Sequence, residues 1–501
     1  MNWLDPLYDA AEMRAADAWA IGEREVPSLD LMERAGEGLA RVTAAAASAG
    51  PIRVVVGKGN NGGDGLVVAR LLRQDGYEVE VLAAADLDDL KGDAKTNLER
   101  LPGPRPERFA AGRLEGSGAV VDALLGTGFE GAPREPLASA IAAIGEQDAP
   151  VVACDVPSGV DASTGEVAGQ AVHATVTATF HGPKIGLYVN PGREHAGAVE
   201  VVEIGIPRGV PGAGPAGLIS DRVLDLYPHR EASGSKFVSG VVVVVGGSLG
   251  LTGAPTMTAR SAQRAGAGYV QVAVPGPVQQ AVDLRLLEQM SRGLPDEDGF
   301  HTPAGVEVVD EMAQRAGAVA LGPGLGRAQT AQEFARGVAK AVKIPLLIDA
   351  DGLNAHAGRL ESLREREAPT VLTPHEGELG RLLERPSEEI AAHRLASARE
   401  AAQRSGAVVL LKGDDTLVAL PSGQVAVNPG GTPALASAGT GDVLSGLIAA
   451  LLAKGLDGFA AACLGARAHV LAARHAAGRV GVDHTMAGDV IDALPWGLTL
   501  R

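Results

Sequence analysis

The sequence is short of cysteine, aromatic rings, positive charge and long apolar runs, and each shortage narrows the field. Its only cysteines are Cys154 and Cys463, each in an apolar context (VVACDV and AACLGA). Buried, inert thiols in a reducing cytosol are the expectation. Aromatic residues make up 3% of the chain, against 67 glycines. That balance disfavours a binder that stacks nucleic-acid bases, and favours α/β layers with glycine-rich ligand loops. Lysine and arginine number 44 against 61 aspartate and glutamate, for a net charge of −17 with no basic run. Broad polyanion binding is excluded, although backbone N–H groups and a single lysine can still hold a small anion. The most apolar helical stretch, Val443 to Ala453, is far short of the ~20 residues that span a bilayer. The opening MNWLDPLYDAAEM places Asp5 early and has no basic stretch before an apolar core, unlike a secretory signal. A soluble cytoplasmic protein with neither nucleic-acid nor membrane partners is expected.

What is present is ample core material. Hydrophobic residues are 46% and charged residues 21%, with a mean hydropathy of +0.10. At about 150 residues per domain, the 501 residues suggest two large domains or three ordinary ones. Ile52 to Val56 is a continuous run with the signature of a strand buried on both faces. Further strands are expected near Tyr77 to Leu82, Ala119 to Leu124, Pro150 to Ala153, Ala174 to Thr179 and Val199 to Ile204. Ser28 is a candidate N-cap, with Asp30 in the first turn. Dense proline and glycine from Gly205 to Leu218 mark a linker. A second strand series then starts at Val241 to Val245. It continues near Tyr269 to Val274, Ala318 to Leu321, Pro345 to Ile348, Thr370 to Leu372 and Val408 to Leu411. Two unlike α/β domains are expected, over residues 1–215 and 220–501.

The loop after the first of these strands runs Gly57-Lys58-Gly59-Asn60-Asn61-Gly62-Gly63-Asp64-Gly65. It satisfies G-x-G-x-x-G, with Glu78 or Glu80 at the spacing of a ribose-binding acid. That pattern alone reads as a nicotinamide dehydrogenase. Two amides and a carboxylate, however, are more than a pyrophosphate loop needs. NNGGDG, VDALLGTG (Val121 to Gly128) and CDVPSG (Cys154 to Gly159), preceded by LMERAG (Leu31 to Gly36), resemble the NAD(P)H-hydrate epimerase family; Lys58 departs from the asparagine common in bacterial members. The resemblance implies a Rossmann-like domain in which Asn60, Asn61, Gly62, Gly63, Asp64, the loop Gly126, Thr127, Gly128, Phe129, Glu130, Gly131 and Ala132, and Asp155 contact hydrated NADH or NADPH. It also implies a K⁺ ion held by Asn61, Asp122 and Ser158. Neutral oxygens with one carboxylate suit a large monovalent cation better than Mg²⁺; caps on turns are the plainer role for Asp122 and Ser158. The reaction implied is interconversion of epimers at C6 of the nicotinamide ring, with Asp155 as acid/base. Lys184 is a second candidate, and a solvated loop lysine is the equal alternative.

In the second half, Ala438-Gly439-Thr440-Gly441-Asp442 leads straight into the apolar helix VLSGLIAALLA. Glycines there leave unpaired N–H donors facing an anion, and the helix dipole adds to the attraction. This start resembles the ribokinase-like superfamily. GGS at Gly246 with TGAP at Thr252, LGPGLG at Leu321, DADGLN at Asp349, LTPH at Leu372 and KGDDT at Lys412 narrow the resemblance to ATP/ADP-dependent NAD(P)H-hydrate dehydratases. Glu376 and Gly352 stand where that family usually has proline and alanine. The resemblance implies substrate contacts from Ala254, Gly324, Gly326, His375 and Asp442. It also implies an ADP or ATP site at Lys412, Gly413, Asp414, Asp415, Thr416 and Gly441, with Mg²⁺ on the phosphates. Asp442 would take the proton of the ring hydroxyl during phosphorylation, and phosphate would then be eliminated. Glycines at Gly322 to Gly326 permit positive φ. His375 is either a substrate contact or a turn cap, and Asp351 and Asn354 are expected in the same crevice. The whole then reads as a bifunctional repair enzyme, an isomerase joined to a lyase, and a homo-oligomer is expected. The rivals are a kinase of a small hydroxymethyl compound for the second half and a non-catalytic binding module for the first.

Overall fold

The computed structural model describes residues 1–207, 214, 216–230 and 235–499. The chain forms two compact units, Pro6–Gly217 and Met1–Asp5 with Leu218–Arg501. The first five residues therefore belong with the second unit, not with the first as the expected 1–215 span has it. Much of the expected linker, residues 208–213 and 215, lies outside the described residues.

The opening strand β1 (Leu4–Pro6) joins the second sheet. The first sheet holds β2 (Ile52–Val56), β3 (Val79–Ala83), β4 (Glu107–Arg108), β5 (Ala119–Ala123), β6 (Val151–Cys154), β7 (Val176–Phe180) and β8 (Ala198–Val202). Their order is β4-β3-β2-β5-β6-β7-β8, with every pair parallel. Val54 and Val56 pack into one apolar cluster with Leu31, Leu39 and Leu66. Val55 points the other way, to a cluster with Ile141 and Ile144. This alternation explains the apolar run Val54 to Val56, because both faces of the strand are covered there. Three helices matter for the site: α1 (Ala10–Gly22), α2 (Ser28–Ala46) and α3 (Asn60–Gln74). Ser28 is the first residue of α2 and not its cap; Pro27 holds the cap position without a side-chain hydrogen bond. Proline's fixed φ makes the entry there without needing the hydroxyl.

The second sheet adds β9 (Ala216–Ile219), β10 (Val241–Val245), β11 (Tyr269–Pro275), β12 (Met290–Leu294), β15 (Ala318–Leu321), β16 (Leu346–Ile348), β17 (Thr370–Leu372), β18 (Val408–Leu411), β19 (Leu417–Ala419) and β20 (Val425–Val427). A separate hairpin supplies β13 (Asp296–Glu297) and β14 (Phe300–His301). The order is β1-β9-β20-β19-β18-β17-β16-β15-β10-β11-β12. Pairing is parallel from β12 through β18 and antiparallel from β18 to β20. Val242 and Val244 pack against the helices Gly253–Arg264 and Thr440–Ala453 through Ala259, Ala262, Leu447 and Ile448.

In each sheet the strand order reverses once, between β2 and β5 and between β10 and β15. Ligands in open α/β sheets bind at the carboxyl ends beside such a reversal. The loops Gly57–Gly59 and Leu124–Ala132 flank the first reversal, and Gly246–Thr252 and Gly322–Gly326 flank the second. Among the described residues, no helix is long and apolar enough to cross a membrane.

Candidate active sites

The first site begins with where α3 starts. Gly59 is its N-cap, so Asn60, Asn61 and Gly62 form the first turn, and their N–H groups have no backbone acceptor. Gly62 lets this turn lie on the strand end, since a Cβ there would fall 2.1 Å from the Gly57 carbonyl oxygen. Gly62 and Gly63 thus support the loop from behind, and neither lines the cavity of about 2000 Å³ that opens in front. Asn60, Asn61, Asp64, the loop Gly126 to Ala132, Asp155 and Lys184 all line it.

Asn61 turns inward and its Nδ2 donates to the carbonyls of Leu125 (2.9 Å) and Cys154 (3.1 Å). Beside it, Ser158 donates from Oγ (2.6 Å) and from its backbone N–H (2.8 Å) to Asp122. Asp122 is fully buried, and burial pushes its carboxyl up to about 6 against the pull of the Ser158 and Leu124 hydrogen bonds. No lysine, arginine or histidine pairs with it among the described residues. A buried carboxylate with no countercharge, set among neutral oxygens, is a donor set that fits a monovalent cation.

Asp155 follows β6 with a positive φ of 67°, a conformation that costs an ordinary residue energy and is kept only where surroundings enforce it. The enforcing contact is Lys184, whose Nζ donates to Asp155 Oδ1 (2.5 Å), Thr179 Oγ1 (3.0 Å) and the Phe180 carbonyl (2.7 Å). Thr127 Oγ1 donates to the other carboxylate oxygen. Burial pushes Asp155 up, but Lys184, Thr127 and the Phe180 N–H outweigh it and hold the carboxyl below its usual range. Lys184 is 0% exposed. The solvated-lysine alternative is therefore wrong.

In the second unit, Gly439 caps the helix Thr440–Ala453 with φ 91°, and the N–H groups of Gly441 and Asp442 have no backbone acceptor. Lys412 lies under this turn: a Cβ on Gly441 would be 3.7 Å from its Nζ. That ammonium pairs with Asp349 Oδ1 (3.0 Å) and Glu378 Oε2 (3.5 Å), and Ser445 Oγ donates to Asp349 Oδ2 (2.6 Å). Burial, with Asp349 and Glu378 nearby, raises the Asp442 carboxyl to about 7 although Lys412 opposes. Gly324 and Ala254 touch, as a Gly324 Cβ would lie 3.2 Å from that of Ala254. The Gly326 N–H donates to Asp351 (3.0 Å), which also accepts from Asn354 Nδ2 (3.0 Å). His375 does cap a helix, since its Nδ1 accepts from the N–H groups of Gly377 and Glu378; its Nε2 is left 3.6 Å from Glu378 Oε1.

The chain has relatives across both units. A family profile described as NAD(P)H-hydrate dehydratase matches residues 242–495, and one described as YjeF-related protein N-terminus matches residues 28–186. A bifunctional NAD(P)H-hydrate repair enzyme of Moorella thermoacetica is 42% identical, over 98% of this chain and 96% of the relative. The corresponding Escherichia coli protein is 35% identical, over 96% and 92%. The chain belongs to this family. A solved Bacillus subtilis ADP/ATP-dependent NAD(P)H-hydrate dehydratase, co-crystallised with ATP and Mg²⁺, is 28% identical over 58% of this chain and 98% of its own, with a TM-score of 0.48. The fold class is α/β as expected, in two units each built on a largely parallel sheet.

Several site groups escaped the sequence reading. Asp17 on α1 lines the first cavity. Asp349 and Glu378, the partners of Lys412, lie within or beside the DADGLN and LTPH motifs, whose local pattern carries no sign of that pairing. Arg394, 2% exposed, holds Asp415 through Nη2 (2.8 Å) and also binds Glu376 and the Lys412 carbonyl. Asp415 thus braces the KGDDT loop, and its carboxylate is turned toward Arg394. Nothing local distinguishes Arg394 from the other arginines of its helix. The Thr416 hydroxyl donates to the Gly413 carbonyl (2.6 Å), closing the same loop.

Proposed function

We propose that the first unit interconverts the R and S epimers of hydrated NADH and NADPH, and that the second dehydrates the S epimer at the expense of ADP or ATP. The observation that carries this reading is that relatives of this activity match the chain over nearly its whole length, with an acidic site at the reversal point of each sheet.

In the first unit, Asp155 is kept ionised by Lys184 at the cavity wall, where it can take a proton from the oxygen that leaves or joins the hydroxyl-bearing carbon. The α3 first turn and the Gly126 to Ala132 loop receive the nucleotide. Asn61, Asp122, Ser158 and the Leu125 carbonyl would hold K⁺, which when bound supplies positive charge beside the loops that meet substrate. In the second unit, Asp442 takes the proton of the ring hydroxyl as it attacks the terminal phosphoryl group. The Gly441 N–H and Lys412 stabilise charge on that group, and loss of phosphate restores the dihydropyridine. No cluster of three or more histidine, cysteine or acidic ligands exists among the described residues, so Mg²⁺ would enter on the nucleotide phosphates, its usual mode.

The test is to give the protein each separated hydrate epimer with Mg²⁺, K⁺ and either ADP or ATP. Recovery of dihydronicotinamide absorbance from the S epimer at once, and from the R epimer through catalysed epimerisation, is expected. A stable phosphorylated product without that recovery would instead make the second unit a small-molecule kinase. The same assay decides between the two nucleotides.

A further inference from the structure

The first cavity contains more carboxyl groups than its one buried lysine neutralises. Asp155 and Lys184 form a pair. Among the further acids that line the same space are Asp64 from α3 and Asp17 from α1. Asp64 is buried, its carboxyl near the Cys154 thiol (4.0 Å). Asp17 is only half-buried, and its carboxyl has no hydrogen-bond partner among the described residues. The charged groups facing it are Asp64, Asp155 and Lys184, with Arg14 one turn earlier on its own helix. A partner-free carboxyl at a cavity wall costs desolvation without a structural return, and such groups concentrate where chemistry needs them.

We propose that Asp17 is a second proton-transfer residue for epimerisation, working on the substrate from α1 while Asp155 works from the sheet edge. This rests on the epimerase reading above. Inverting the hydroxyl-bearing carbon needs a proton delivered on one face and removed on the other. Asp17 donates its proton to the leaving hydroxyl. The C–O bond breaks, water departs with the bonding pair, and the ring-nitrogen lone pair forms a C=N bond. A water then adds to the opposite face as that C=N pair returns to nitrogen, and Asp155 takes its surplus proton. One water leaves and one enters, and one proton is given and one taken. The reverse reaction uses the same two groups with their roles exchanged. Burial, with Asp155 beside it, raises the Asp17 carboxyl to about 6 against the opposing charge of Lys184, so its acid form persists at a higher pH than that of an ordinary aspartate.

The experiment compares full-length wild type, Asp17→Asn and Asp17→Glu in epimerisation of the R hydrate, with S-hydrate dehydration by the same preparations as reference. Asp17→Asn is expected to lower epimerisation kcat by about 10²-fold or more, to keep KM within about threefold, and to lose the wild-type fall in kcat/KM as pH rises through about 6. Asp17→Glu is expected to recover part of the rate and that limb. Epimerisation by Asp17→Asn within about twofold of wild type overturns the proposal. So does a loss in both variants accompanied by a lowered melting temperature or a raised KM, because that marks a structural role. If wild type itself does not epimerise, the functional reading fails, and this inference with it.

Discussion

At the scale of single residues, the surroundings of each proposed acid or base set its proton affinity. Asp442 sits in a helix first turn whose N–H groups have no backbone acceptor and is raised to about 7, so it is mainly a base only where pH exceeds that value. Dehydration should therefore climb as pH rises through about 7 and level off above it. Asp442→Asn should lose about 10²-fold or more in turnover while nucleotide binding changes only a few-fold; a pH–rate profile and a nucleotide titration check both. Asp155 and Lys184 are the opposite case, a buried pair in which each partner justifies the other. Lys184→Met strands the carboxylate and should destabilise the first unit by about 3–5 kcal/mol in denaturant unfolding. The folded-state affinity of Asp155 for a proton is depressed. The pair's stabilisation is accordingly present above about pH 4, the unfolded carboxylate range, and is lost as pH falls through the lower folded value.

At the scale of elements, the first turns of two helices supply the free N–H donors of the proposed sites, and glycines let those turns approach their strands. Gly62 shows this although it does not line the cavity. A Cβ there would meet the Gly57 carbonyl oxygen at 2.1 Å, and backbone cannot yield as a side chain can. Gly62→Ala should cost about 1–3 kcal/mol and shift the start of α3. Epimerisation should fall markedly while dehydration by the same preparation is unchanged; full epimerisation would show that the turn relaxes freely. The helix Thr440–Ala453 is legible from Val443 onward because its apolar run is local. Its true start at Thr440 depends on the Thr440 hydroxyl bonding back to the Leu435 and Ser437 carbonyls.

At the scale of the whole molecule, the opening residues belong with the second unit. Trp3 is 4% exposed and its ring lies 5.9 Å from that of Phe459, centroid to centroid. Ser220 donates from its N–H and its Oγ to the Trp3 carbonyl (both 3.0 Å). Emptying that position should cost about 3–5 kcal/mol. Trp3→Ala should lower the melting temperature of the dehydratase unit and leave epimerisation intact. A loss of epimerase stability instead would place the segment with the first unit.

The buried parallel strands and the loops at their ends are legible from local pattern alone, because continuous runs such as VVVVV and glycine punctuation are signals whose period and length need no partner. The sequence also placed Asn61, Asp122, Asp155 and Ser158 near three strand ends and Asp442 at a helix start, but in the fold Asn61 lies in the first turn of α3 and Asp122 within β5, not on loops. The tertiary structure decided what those groups touch. Lys184 looked like any loop lysine until packing closed over it. Asp17, on the partly exposed side of a helix before the sheet begins, entered the cavity only through the fold. The short strands β4, β19 and β20 and the edge strand β1 carry too few residues for a periodic pattern. Arg394 meets Asp415 across 21 residues, and Asp349 meets Ser445 across 96. Such encounters are set by how the chain folds back on itself, and no local propensity records them.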